Sequence, residues 1–199
     1  MSSSASIGGV AIQQRRERER AERHQLIVDA ARQLAETEGW EAVTTRRLAE
    51  RVEYSQPVLY SHFKGKDAIV RAVAIESFGV LAEQLRAART AHAEPAAALR
   101  ALAVAYLDFA SARPALYEVM FVRPTDLAFG TSEAPAPLRA AFGEILTAVQ
   151  PLAGGHDLET LTEVVWSALH GLATLTSGQR LRPAQHQARL DLLLGRLTG

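Results

Sequence analysis

The 199-residue chain has no cysteine and no net charge, and both absences narrow its chemistry. Without thiols it can form no disulfide, no thiolate zinc site and no cysteine nucleophile. Because 22 acidic side chains balance 22 basic ones, no overall field attracts nucleic acid, and any such binding must use a local basic face. The most apolar run, residues 101–107, ends at Asp108 and is far too short to span a bilayer.

The sequence also lacks the patterns of export, metal binding and catalysis. Residues 1–9 contain neither an early positive region nor an apolar run, so we expect no signal peptide and a soluble, cytoplasmic protein without a membrane partner. The histidines show no metal-ligand spacing, and there is no glycine-rich phosphate loop or nucleophile elbow. We therefore expect no cofactor, no metal site and no enzyme activity.

What the chain does contain is helical periodicity. Hydrophobic residues make up 48% of it, which is ample for a packed core, and they recur at helical rather than strand spacing. The pattern predicts an all-α protein. Prolines and glycines divide the second part of the chain into helices at about residues 66–90, 96–112, 114–122, 138–152, 157–176 and from 183 onward. The connection over 123–137 is long for a compact domain and is expected to be functional or disordered.

The stretch from Thr44 to Phe63 predicts two short helices joined by a tight turn. Thr44 can cap the first helix and Ser55 the second, which has Pro57 in its first turn. Leu59 and Phe63 lie four positions apart and are predicted to point inward. Such a pair of helices, with small polar groups exposed on the second, fits the major groove of DNA. A plain helical hairpin without DNA binding is the alternative.

Residues 24–70 resemble the N-terminal DNA-binding domain of TetR (tetracycline-repressor-like) transcriptional regulators. The resemblance rests on Thr-x-x-x-Leu-Ala from Thr44 to Ala49, on Leu-Tyr-Ser-His-Phe over 59–63, and on Lys66 at the start of the next helix. It implies an N-terminal three-helix helix-turn-helix domain and a C-terminal helical ligand-binding and dimerisation domain. Glu53 stands where the family usually has glycine, and a left-handed conformation there would cost about 1 kcal/mol.

The predicted organisation is a disordered tail over 1–14, a helix-turn-helix DNA-binding domain over 15–70 and a helical effector-binding and dimerisation domain over 71–199. Residues 15–23 carry five arginines and three glutamates, so they form either a solvated helical extension or a basic arm on DNA. The family motif implies phosphate contacts for Tyr60 and Lys66, and expected exposure adds the others. The predicted DNA contacts are Thr45, Tyr60, His62 and Lys66 to phosphates, and Arg46, Gln56, Pro57, Val58 and Ser61 to base edges.

The segment Trp166-x-x-x-His170-Gly171 resembles a Trp-His-Gly subgroup of the family's C-terminal domains. Trp166 and His170 share one helix face, where they either belong to the core or line an effector cavity. The family binds effectors among its middle helices. Because these helices carry few charges at positions expected to be buried, we predict a mainly apolar cavity and an uncharged or weakly polar effector. The residues predicted to border it are Tyr106, Phe109, Tyr117, Phe121, Trp166 and His170.

Leucines at helical spacing on the last two helices predict a dimer. A helix as short as the last one is marginal alone and must dock against something, while Gly171 inside the preceding helix suggests close approach by another helix. Pairing both helices with their two-fold mates gives a four-helix bundle, which resembles how the family dimerises. The predicted interface residues are Leu161, Val165, Leu169, Leu172, Leu190, Leu193, Leu194 and Leu197.

Taken together, these patterns predict a ligand-responsive repressor. It would bind a palindromic double-stranded DNA operator as a homodimer, with reading helices roughly 34 Å apart, and be released by a small-molecule effector. Two alternatives stay open. One is a DNA-binding protein without an effector, and the other is a helical interaction module that has lost DNA binding, for which Glu53 is the hint.

Overall fold

The computed structural model describes residues 4–124 and 126–198, with side chains over 12–124 and 126–196. Within this part every regular element is a helix, which confirms the predicted all-α fold, and none is long and apolar enough to cross a bilayer. Three short 3-10 turns also occur, at Trp40–Ala42, Gln150–Leu152 and Pro183–Gln185. The helices are α1 Ser4–Glu38, α2 Thr45–Arg51, α3 Gln56–His62, α4 Lys66–Thr90, α5 Pro95–Ala112, α6 Pro114–Phe121, α7 Ala136–Val149, α8 Leu158–Ser177 and α9 His186–Thr198.

The chain divides into two compact units between Val73 and Ala74, within α4. In the first unit α1 begins at Ser4, so residues 4–14 are helical and not the disordered tail that we predicted; residues 1–3 lie outside the described part. The reason is local, because this segment leads into a run of glutamine, arginine and glutamate, which are good helix formers. Pairs one turn apart extend the helix further, as Arg15 and Glu19 do at 2.8 Å.

Helix caps and a small apolar core hold the first unit together. The Thr44 hydroxyl accepts a hydrogen bond from the Arg47 amide at 3.2 Å, as predicted for a capping residue. Ser55 occupies the cap position of α3 without a side-chain cap hydrogen bond. Leu59 and Phe63 are buried, as predicted, and they share the core with Ile27, Val28, Ala31, Leu34, Trp40, Val43 and Leu48.

The turn between α2 and α3 forms without glycine. Glu53 adopts the left-handed conformation, with φ 57°. The amide of Tyr54 donates to the carbonyl of Ala49 at 2.9 Å, and the amide of Glu53 donates to Glu50 at 3.4 Å, which is the Schellman pattern of a helix end. In the second unit Gln179, with φ 54°, ends α8 in the same way.

In the second unit, α5 lies at the centre and packs against α6, α7 and α8. The α8 N-terminus is capped by Asp157, whose carboxylate accepts from the Thr160 amide at 2.9 Å. Glu144 of α7 joins α4 through ion pairs with Arg86 at 3.2 Å and Arg89 at 2.7 Å. The last helix, α9, also packs against α5. This packing buries α5 on several sides, and the candidate cavity lies among the same helices.

Candidate DNA-binding face and effector cavity

Helix α3 presents its predicted base-reading residues to solvent. Gln56, Pro57, Val58 and Ser61 are exposed, while Leu59 fixes the opposite side of the helix in the core. The Ser61 hydroxyl donates to the carbonyl of Val58 at 2.6 Å, so its oxygen remains able to accept a hydrogen bond. The face therefore combines exposure with side chains small enough to enter a groove.

Among the predicted phosphate contacts, Tyr60 is 51% exposed, Thr45 and His62 are half-buried, and Lys66 has an internal partner. The Lys66 ammonium donates to the carbonyl of Trp40 at 3.1 Å, which ties the start of α4 to the 3-10 turn after α1. An ammonium has three donors, so this bond leaves donors for a phosphate. Lys66 thus combines an internal contact with a predicted external one.

A groove between α1 and the end of α3 brings arginines beside these residues. Arg16, Arg20 and Arg23 lie on one face of α1 because they are four and three residues apart. Glu19, which also lines the groove, forms an ion pair with Arg15 at 2.8 Å. The arrangement makes a local basic face in a chain without net charge. The groove is lined by Arg16, Glu19, Arg20, Arg23, Ser61 and His62.

His62 lies in this groove as a neutral side chain. Burial lowers the pKa of His62, and the neighbouring positive charges of Arg20, His24 and Arg23 lower it further. Its Nδ1 atom is buried and has no hydrogen-bond partner within the described part of the chain. Because Nδ1 is buried, a phosphate contact by the neutral imidazole would have to use Nε2 as the hydrogen-bond donor.

The second unit encloses a cavity of about 440 Å³. Helices α4 to α8 all contribute, and so does the connection after α6, which supplies Phe129 and Thr131. The walls are mainly aromatic and aliphatic, as is usual for small-molecule sites. The apolar side chains that line it include Phe78, Leu81, Tyr106, Phe121, Phe129, Leu138, Phe142, Ile145 and Trp166.

The structure places three of the six predicted effector residues on this wall: Tyr106, Phe121 and Trp166. Tyr117 and His170 lie behind the wall and reach it through hydrogen bonds. Phe109 is buried in the core and does not line the cavity. Because α5 is buried on several sides, the apolar character of Phe109 could not distinguish the cavity side from the rest of the core.

A chain of hydrogen bonds runs from the cavity wall to α8. The Trp166 indole donates to the Tyr106 hydroxyl at 3.2 Å, the Tyr106 and Tyr117 hydroxyls are 3.0 Å apart, and the Tyr117 hydroxyl lies 2.6 Å from Nδ1 of His170. An indole can only donate, so all donors are satisfied when Tyr106 donates to Tyr117 and Tyr117 donates to Nδ1. This assigns the His170 proton to Nε2, which faces the Thr174 hydroxyl at 3.5 Å.

The pKa values agree with a neutral chain. Burial raises the pKa of Tyr106 well above its ordinary value and raises the pKa of Tyr117 to about 12. Burial lowers the pKa of His170, so its imidazole is neutral at neutral pH and keeps Nδ1 free to accept. The chain therefore joins α5, α6 and α8 with polar contacts that carry no charge.

Charged side chains also reach the cavity, contrary to the predicted scarcity of charge there. Glu159, Glu163 and Arg139 all line it. Glu159, Glu163 and Trp166 follow one another at intervals of four and three residues, about one turn of α8 each, so they share a side of the helix. That spacing is readable in the sequence, but only the packing of α7 and α8 shows that this side faces a cavity.

Helix α8 has a further, exposed apolar face. Val164 is 55% exposed and Leu175 39% exposed, and Leu161, Ala168 and Leu172 are half-buried beside them. A Cβ atom added at Gly171 would meet nothing within 4 Å. On α9, Leu192 is 65% exposed.

This pattern corrects part of the predicted interface. Val165, Leu169, Leu190 and Leu194 are buried within the chain itself, because α8 and α9 both pack against α5, so these side chains offer no free surface. Leu161, Leu172 and Leu193 are half-buried and keep some accessible area. The side chain of Leu197 lies outside the described residues.

Two family models match this chain in succession. Residues 27–73 match the model for bacterial regulatory proteins of the tetR family, and residues 99–197 match the tetracyclin repressor-like C-terminal domain. The chain belongs to the TetR family. The two matched stretches fall in the two units seen in the structure, so the family assignment covers the helix-turn-helix and most of the second unit.

Similar proteins support the assignment over parts of the chain. An uncharacterised HTH-type transcriptional regulator, YobS of Bacillus subtilis, is 34% identical over 51% of this chain and 52% of its own length. The class C tetracycline repressor of Escherichia coli is 46% identical over 25% of this chain and 23% of its own. The matched segments thus span about half or less of these curated relatives.

A solved structure shares the fold over nearly the whole chain. The structure of a protein of unknown function from Rhodococcus sp. RHA1 has a TM-score of 0.74 and 23% identity, and the match covers 87% of this chain and 92% of that one. At this identity the likeness concerns the fold alone.

Proposed function

We propose that this TetR-family chain is a ligand-responsive transcriptional repressor that binds a palindromic operator as a homodimer. The observation that carries the proposal is the exposed face of α3, held by a buried Leu59 and a well-formed turn in a helix-turn-helix of this family. A protein that binds DNA and releases it when an effector binds acts as a regulator, and we propose no enzyme activity.

On DNA, α3 would enter the major groove, with Gln56 and Ser61 at base edges and Tyr60 and Lys66 at phosphates. The groove arginines extend this contact. Because Arg16, Arg20 and Arg23 lie beside His62, we assign them to the phosphates that flank the reading helix, which favours the basic-arm interpretation of residues 15–23. Replacing all three by alanine should lower the salt dependence of DNA binding.

The exposed apolar face of α8 is the proposed dimer contact. Val164, Leu175 and the half-buried residues between them need cover, and the open space at Gly171 would let a second helix approach closely. A two-fold axis beside α8 would pair this face with its own copy. Leu192 of α9 would lie at the margin of the contact.

Effector control follows from the position of α8 between the cavity and the proposed dimer face. A ligand that competes for the Tyr106 hydroxyl, or moves Trp166, would change the hydrogen-bond chain that holds α8 through His170. Its effect on operator affinity equals its difference in affinity for the two arrangements of the dimer. Trp166→Ala should therefore reduce ligand response with little loss of DNA binding.

Selection of bound sequences from a random DNA pool tests the proposal most directly, together with light scattering. We expect an enriched palindrome and a mass of twice 21.6 kDa. No enrichment would instead favour the helical interaction module. Enrichment without any small molecule that raises the melting temperature would favour a DNA-binding protein that has no effector.

A further inference from the structure

The cavity carries a negative charge on one side of an aromatic wall. Glu159 and Glu163 lie one turn apart on α8 and both line the cavity, as does Trp166 on the same side of the helix. Both side chains are exposed, so the two carboxylates stand at the solvent-facing edge of the site. A ligand entering there meets two negative groups next to an indole ring.

Aromatic side chains also line the cavity and offer it ring faces and edges. Phe78 makes edge contacts with Phe121 and Phe129 at ring-centroid distances of 5.2 and 6.0 Å. Phe121 lies 6.0 Å from Trp166, so the rings form one continuous cluster around the cavity. Aromatic faces attract cations through their quadrupole, and tryptophan does so best.

A positively charged side chain, Arg139, also lines the cavity, and hydrogen bonds to backbone carbonyls hold its guanidinium in place. The Arg139 guanidinium donates to the carbonyls of Ser132 at 2.8 Å and Ala134 at 3.1 Å, which fixes it on the loop after α6. Tyr106 keeps its proton, because burial raises its pKa. The lining within the described residues therefore has two carboxylates against one tethered guanidinium.

We propose that this cavity binds an organic cation with an aromatic body, its positive centre between the α8 carboxylates and the aromatic cluster. The proposal rests on the effector role assigned to this cavity, and it replaces the uncharged effector that we predicted. Apolar burial would supply most of the affinity, while the carboxylates and ring faces would select the sign of the charge.

Tetraphenylphosphonium and tetraphenylborate test the sign directly, because the two rigid ions have nearly the same size and shape and opposite charge. Calorimetric titration should show saturable binding of the phosphonium, at least tenfold tighter than the borate. Equal or tighter binding of the borate would overturn the proposal. So would the failure of both ions to bind at millimolar concentration.

Charge-removing variants locate the effect. Glu159→Gln/Glu163→Gln should weaken phosphonium binding about tenfold and leave the melting temperature nearly unchanged, since both side chains are exposed. The matched control Glu83→Gln/Asp108→Asn removes two exposed charges from the same unit, at positions that do not line the cavity, and should leave affinity within twofold. Equal losses in both variants would mean that only net charge matters, and would overturn the assigned site.

Operator binding, measured separately by fluorescence anisotropy, distinguishes this proposal from the proposed function. A chain that binds its operator but prefers the borate would refute the cation proposal and keep the regulator. A chain that prefers the phosphonium through the two glutamates, yet never binds a selected operator, would keep the cation site and refute the regulator.

Discussion

The helix-turn-helix unit presents the residues predicted to read bases on the outside of α3, whereas the second unit turns its aromatic side chains toward a cavity. In the first unit, burial and function separate cleanly: Leu59 is fully buried while Tyr60 beside it is 51% exposed. In the second unit a single side chain can belong both to the core and to the candidate site, since Tyr106 is 1% exposed and still lines the cavity. The exposed fraction of a side chain can thus identify a surface site, but it cannot identify a site inside a cavity.

The difference has consequences for substitution. A change on the outside of α3 should alter the proposed contacts with DNA and leave stability nearly unchanged, because surface substitutions usually shift stability by no more than about 0.5 kcal/mol. A change at Tyr106 alters the cavity, the hydrogen-bond chain and the core together. Variants that break one unit and spare the other therefore test the comparison.

The largest effect is expected from Val164→Glu. In the single chain Val164 is 55% exposed, so the fold should persist, but a charge on the proposed dimer face should weaken association at least 100-fold, about 3 kcal/mol. Operator binding should be lost although α3 is intact. Sedimentation or light scattering checks the mass. Ser177→Glu, at an exposed position on the other side of the same helix, should remain dimeric; a dimeric Val164→Glu would place the interface elsewhere.

A second comparison separates phosphate contact from base reading within the first unit. Lys66→Ala should weaken binding to all sequences alike, about tenfold, and lower the salt slope by about 1. Gln56→Ala should instead lose about 1–3 kcal/mol of discrimination at one position in each half-site. Binding isotherms at several salt concentrations give both quantities.

Because Lys66 also donates to the Trp40 carbonyl, its alanine variant should melt at a lower temperature than Gln56→Ala. An unchanged salt slope together with a lowered melting temperature would assign Lys66 to the internal contact alone.

A third, smaller effect compares the two left-handed residues, one in each unit. Glu53 and Gln179 end α2 and α8 with φ 57° and 54°, where glycine carries no Cβ penalty. Glu53→Gly and Gln179→Gly should each raise the free energy of unfolding by about 0.5–1 kcal/mol. Chemical denaturation measures the gain. The alanine variants at both positions keep the Cβ atom and should show no gain; if they match the glycine variants, strain at these turns is not the cause.

The smallest effect concerns pH. Because burial lowers the pKa of His170 below its ordinary 6.5, the unfolded chain binds more protons than the folded chain just below pH 6.5. Stability should therefore fall as the pH drops from about 6.5 through the lowered pKa. His170→Asn keeps an acceptor near the position of Nδ1 but cannot titrate, so thermal unfolding between pH 7 and 5 should show a smaller loss. Titration of the other histidines is common to both proteins and cancels in the comparison, and identical pH profiles would contradict the neutral-chain assignment.

Local chemistry accounts for what was predictable. The cap at Thr44 acts within one turn of its own helix, so residue type and spacing were enough to find it. The strain at Glu53 followed from a missing glycine in a turn. The exposed side of α3 was predictable because Leu59 and Phe63 mark its buried side.

The interface and cavity predictions that the structure corrects depend on contacts between residues that are far apart in the sequence. A leucine stripe shows that a helix side is covered, but it does not show by what: Leu190 and Leu194 are covered by α5 of the same chain and not by a second copy. Phe129 and Phe142 reach the cavity through the loop after α6 and the packing of α7, which no local pattern specifies. Glu159 and Glu163 likewise reach the cavity only through the packing of α7 and α8.

Each unit holds one of the chain's two tryptophans, which gives the molecule a built-in optical label on either side of its division. Trp40 is buried in the first unit, and Trp166 borders the cavity in the second. Replacing either one by phenylalanine leaves a single emitter that reports on one unit alone. Unfolding curves from the two variants would then coincide if the chain unfolds in one cooperative transition, and would separate if the two units unfold independently.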